Sequence, residues 1–101
     1  MIDAFEIVHG SGRTYNDLKP ENVMVDTDNG NDGQVNIVLI DFGFAAKFID
    51  KDFNHVCENQ EKESFRGNIL FSSWNQMNFK ITSRRDDLIS LANMMLYMLN
   101  K

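Results

Sequence analysis

Hydrophobic and polar positions along the chain divide it into a short series of elements. Met1, Phe5 and Val8 recur at helical spacing with Ile2 on the same side, which predicts the last turns of an amphipathic helix stopped by Gly10-Ser11-Gly12. Because its apolar face is established at residue 1, this helix is expected to begin further upstream. Tyr15 to Asn22 is polar and holds the single proline, Pro20, so it predicts a loop. Two β-type runs follow, Asn22 to Val25 and Val35 to Ile40, separated by Asp26 to Gln34, which is rich in Asp, Asn and Gly. That pattern predicts a hairpin with an irregular tip. Lys47 to Glu63 is polar, of mixed charge and aperiodic, and reads as a long exposed loop. Ser83-Arg84-Arg85-Asp86 has the cap and acidic first turn of a helix start. From Leu88 to Leu99 nearly every position is apolar, which predicts a helix buried on all sides. Residues 1–87 are too few to surround it, so both ends of the chain read as cut. The sequence shows no repeats or low-complexity tracts.

Composition narrows the class. A chain of 101 residues suits one small domain rather than a two-lobed enzyme. With 43% hydrophobic and 25% charged residues it is an ordinary globular composition. A formal net charge of −5 and scattered basic residues, of which only Arg84 and Arg85 are adjacent, argue against a nucleic-acid or anionic-membrane partner. The lone Cys57 excludes an internal disulfide and fits a reducing compartment. Leu88 to Leu99 is too short to span a bilayer, and Met1 to Glu6 lacks the basic start and long apolar core of a signal peptide. The expected location is intracellular, cytoplasmic or nuclear.

Two motifs carry chemistry. Asp17-Leu18-Lys19-Pro20-Glu21-Asn22 fits Asp-Leu-x-x-x-Asn, and Asp41-Phe42-Gly43 follows it across the predicted hairpin. Phosphoryl transfer needs positioning and charge neutralisation more than covalent chemistry. A carboxylate must hold the attacking hydroxyl and accept its proton, a role suited to Asp17. An ammonium close by, Lys19, offsets charge on the moving phosphoryl group. Magnesium takes hard oxygens, here the Asp41 carboxylate and the side-chain carbonyl of Asn22. The hairpin brings those two to the same end of adjacent strands.

With these residues in view, the chain resembles the core of the large lobe of a eukaryotic-type protein kinase, most like the casein kinase one family. Met1 to Glu6 resembles the end of the helix before the catalytic loop. Arg66-Gly67-Asn68 and Ser73-Trp74-Asn75 resemble the substrate-binding loop, and Ser83 to Leu88 with Ser90-Leu91 resembles the start of the central buried helix. The resemblance implies an α+β, kinase-like fold in which residues 1–101 are a partial large lobe: helix, catalytic loop, hairpin, activation-type loop and central helix. It implies a serine/threonine kinase, favoured by Lys-Pro-Glu, with ATP and magnesium as cofactors and a protein hydroxyl as acceptor. It also implies that Asp87 anchors the catalytic-loop backbone. Four departures stand out. Tyr15-Asn16 replaces His-Arg, although tyrosine can still pack under Phe42. Losing that arginine removes the partner of an activation-loop phosphate, so activity is expected not to depend on one. Asn68 replaces a threonine that bridges the catalytic Asp and Lys, and Ala92 replaces a common glycine. No glycine-rich phosphate loop and no lysine strand precede Asp17, so the 101 residues alone are expected to be inactive; the alternative is a pseudokinase remnant acting as an interaction module.

Other readings of single features are weaker. A calcium loop starting at Asp26 would have Gly30 at its fifth position, Asn31 at its sixth and Ile37 at its twelfth, failing the pattern three times. His55 and Cys57 lack a second pair to complete a metal site. His9 reads as a favourable charge at a helix C-terminus, and Met94, Met95 and Met98 as core filler. Arg84-Arg85 reads equally as a solvated helix start or as a reader of acidic or phosphorylated substrate.

Overall fold

The computed structural model describes residues 1–26, 35–55, 65 and 67–100. Helix α1, Ile2–Gly10, buries Phe5 and packs Met1, Ala4 and Val8 along the same stripe. Ile2, expected on that face, is instead 67% exposed. After α1 the chain turns through Gly12 at φ +83°, where a Cβ would approach Ile49 Cδ1 to 2.8 Å. Strand β1, Arg13–Thr14, pairs antiparallel with β4, Ala46–Lys47.

The predicted hairpin is present. Strands β2, Val23–Asp26, and β3, Asn36–Leu39, are antiparallel with Val23 opposite Leu39 and Asp26 opposite Asn36. Its tip, where the calcium-loop reading fell, lies largely outside the described residues. The stretch expected as a long exposed loop from Lys47 is ordered at its start. Phe48 is buried, Ile49 bridges to His55, and Asp50 Oδ1 accepts the N–H groups of Asp52 and Asn54, each at 2.9 Å. An apolar anchor and an Asx turn close what polarity alone reads as open chain. Cys57 lies outside the described residues, and His55 packs its ring on Phe48.

A short helix α2, Trp74–Met77, is capped by Ser73, whose hydroxyl accepts from Gln76 N at 3.2 Å. Helix α3, Arg84–Leu99, begins as expected: Asp86 Oδ2 accepts the Ser83 N–H at 2.8 Å while Asp86 Oδ1 takes the Ser73 hydroxyl at 2.6 Å. Its burial is one-sided, as expected of an all-apolar helix that residues 1–87 are too few to surround. Asp87, Ser90, Leu91 and Met94 form one inward stripe, whereas Leu88, Met95, Leu96, Met98 and Leu99 are exposed. The described residues cover one side of α3 only. The core gathers Phe5, Tyr15, Leu18, Leu39, Phe71, Leu91 and Met94, so the loop carrying Asp17 is itself part of the interior.

Candidate active site

Asp17 is placed from beneath by α3. The buried Asp87 carboxylate accepts the backbone N–H of Tyr15 at 2.8 Å and of Asn16 at 2.9 Å, and its Oδ2 also meets His9 Nε2 at 2.7 Å. The anchoring implied by the resemblance is therefore present, extended by a histidine from α1. His9 also stacks on Phe5, with centroids 5.6 Å apart. Its role in the sequence, a helix-end charge, understates this, since nothing local reveals a partner 78 residues away.

Tyr15 joins the loop to the hairpin. Its ring meets Phe42 edge-on at 5.2 Å, and its hydroxyl donates to the Ile40 carbonyl. Burial above all, then the negative charges of Asp17 and Asp41, pushes this phenol well above the ordinary tyrosine range, keeping it a donor.

Of Asp17, Lys19, Asn22 and Asp41, the structure brings Asp17 and Asn22 into contact. A 3-10 turn over Pro20–Asn22 returns Asn22 to Asp17. There its Nδ2 donates to Asp17 Oδ2 at 3.0 Å and to the Asp17 carbonyl at 2.9 Å. Asn22 O accepts from Ile40 N at 3.0 Å. Asp41, one residue beyond, thus lies at the same end of the hairpin as Asn22. Asp41 is exposed, sits at φ +60°, and caps its own turn by accepting from Gly43 N at 3.2 Å. It and Lys19 act on Asp17 through charge. Burial raises the Asp17 carboxyl above its ordinary value; Lys19 and the Asn22 hydrogen bond oppose this, and Asp41 adds to it.

A cation would find two hard donors here. Both hydrogen bonds donated by the Asn22 amide go to Asp17, which leaves its carbonyl oxygen as a hard oxygen at the same end of the hairpin as the Asp41 carboxylate. Among the described residues no group of three or more His, Cys, Asp or Glu side chains gathers as a metal site. Two protein oxygens fit magnesium, which takes few protein ligands and fills its shell with water and phosphate oxygens. Asn68, standing where a bridging threonine was expected, uses its Oδ1 to accept from Leu70 N at 2.8 Å and Phe71 N at 3.3 Å, closing its own turn. Arg84 lies over the Phe48 ring, 5.0 Å from its centroid.

A carboxylate-bearing loop hydrogen-bonded to a paired asparagine, an Asp-Phe-Gly turn across a hairpin and a buried aspartate beneath define a protein-kinase type of site. The protein kinase domain family model matches residues 1–101, and the chain belongs to that family, close to casein kinase I. It is 40% identical over 91 residues to a probable casein kinase I homolog of Encephalitozoon cuniculi, covering 90% of this chain and 26% of that protein. It is 34% identical over 102 residues to casein kinase I homolog 1 of Saccharomyces cerevisiae, covering 98% and 18%. A probable serine/threonine-protein kinase of fowlpox virus is 33% identical over 96 residues, covering 95% and 31%. The chain thus spans less than a third of the length of these relatives.

Proposed function

We propose that these residues form the catalytic-loop half of a serine/threonine kinase site that moves the ATP γ-phosphate to a protein hydroxyl. The observation that carries this is the Asn22–Asp17 hydrogen bond at 3.0 Å beside the charge of Asp41. Bound ATP supplies the phosphoryl group, and magnesium offsets charge on its phosphates. Asp17 orients the attacking hydroxyl and accepts its proton at a carboxylate oxygen. Burial, which raises this carboxyl, makes it the better base. Lys19 places a positive charge beside the developing one. Asn22 and Asp41 hold the cation.

The 101 residues contain no glycine-rich phosphate loop or lysine strand, so on their own they transfer no phosphate. Manganese, standing in for magnesium, should broaden the amide resonances around Asn22 and Asp41 when titrated into the chain with ATP, and Asp41→Ala should abolish this. Broadening elsewhere only would sink the metal assignment and leave the interaction-module reading. Phosphorylation of a protein substrate by the 101 residues, lost in Asp17→Asn, would overturn the expected inactivity.

A further inference from the structure

Asn16 occupies the position where the resemblance has an arginine, and each of its polar groups is taken by a different element. Its N–H goes to Asp87 of α3 at 2.9 Å, and its carbonyl accepts from Gln76 Nε2 of α2 at 2.7 Å. Its side-chain Oδ1 accepts from the Thr82 hydroxyl at 2.7 Å, and its Nδ2 donates to the Phe44 carbonyl at 2.9 Å. The residue is buried, 4% exposed. Its φ of +70° is a left-handed backbone that asparagine enters more readily than most residues. Gly67 leaves room for the Gln76 contact: a Cβ there would come within 2.7 Å of the Asn16 carbonyl.

Of these four bonds, the one to Phe44 alone reaches the turn that holds Asp41. Phe44 follows Asp41-Phe42-Gly43 directly, and Ala45 N closes that turn by donating to the Phe42 carbonyl at 3.1 Å. We propose that Asn16 is a positioning residue that straps the Asp41 turn to the catalytic loop, holding it there without an activation-segment phosphate. The proposal deepens the kinase reading and rests on it for the role of Asp41. Its physical basis is a neutral amide doing over one short bond what an arginine–phosphate pair does elsewhere by charge.

The test uses the full 101-residue chain and amide hydrogen exchange. Asn16→Asp keeps the acceptor facing Thr82 but replaces the donor facing Phe44 with a repelled oxygen. Asn16→Ala removes both. The Ile40 amide, bonded to Asn22 O in the hairpin, is the internal reference. In both variants exchange at Gly43 and Ala45 should accelerate about tenfold relative to Ile40, the loss expected of one buried hydrogen bond. Thr82→Val, which weakens the other side of Asn16, should leave that ratio unchanged. Manganese affinity should fall in Asn16→Ala, and phosphatase treatment of the wild-type chain should alter neither readout. Equal acceleration at Ile40, Gly43 and Ala45 would show a general loss of stability and overturn the strap, as would an unchanged ratio. A normal exchange pattern in a wild-type chain that binds no manganese would defeat the metal assignment while the strap stands.

Discussion

Asp17 gives up hydration on folding, and that loss is the first cause of its raised carboxyl pKa; the Asp41 charge adds to it, while Lys19 and the Asn22 amide act against it. The sign of the linkage follows. A carboxyl whose folded value lies above its unfolded value of about 3.9 stabilises the fold fully below that pH, and the contribution is lost as pH rises through the folded value. At neutral pH the charge is a burden. Asp17→Asn should therefore melt at a higher temperature than wild type at pH 7, with the gap closing as the solution is acidified through the carboxylate range. A variant less stable at pH 7 would contradict this. Asp87 matters through its partners, since its carboxylate serves two backbone donors and a histidine. Asp87→Ala should cost about 3 kcal/mol in urea unfolding, the scale for stripping partners from a buried charge network. Tyr15→Phe, which removes the hydroxyl that bonds Ile40, should cost about 1 kcal/mol. At this scale the sequence was legible where motif spacing is short, as between Asp17 and Asn22. It was silent on His9 and on the four engagements of Asn16, because those partners lie far along the chain and leave no local pattern.

Elements were legible where local composition or a cap marked them. The β2–β3 hairpin follows from two β-type runs around a stretch rich in Asp, Asn and Gly, and the start of α3 from Ser83 and Asp86. The ordered start of the Lys47 segment was hidden, since one buried aromatic, Phe48, and one Asx turn carry it. Helix α2 was hidden too, being only four residues long. Ser73 ties that short helix to α3, accepting from Gln76 and donating to Asp86. Ser73→Ala should lower stability by about 1–2 kcal/mol, read from the urea midpoint at unchanged slope. A loss of a few tenths would show the cap to be dispensable.

For the whole molecule the one-sided burial of α3 matters most. All-round hydrophobicity over Leu88 to Leu99 with only residues 1–87 to cover it implies a partly bare helix, but composition alone could not tell which side would be covered. Leu88, Met95, Leu96 and Leu99 remain in solvent, from 45% to 79% exposed. An apolar strip of that kind is an association surface. Sedimentation of the chain should show mass rising with concentration, and Leu96→Glu with Leu99→Lys should bring it back to the monomer. A wild-type chain monomeric at high concentration would refute the expectation.

The clasp between Asp87 and the Tyr15–Asn16 backbone spans 72 residues of sequence. Closing so long a loop is entropically costly and slow, whereas the β2–β3 pairing is local. In refolding, hairpin amides should gain protection first and the Tyr15 and Asn16 amides last. During synthesis the same order has a starker form. Asp17 leaves the ribosome before α3, and its loop has no shape to hold until α3 has been made.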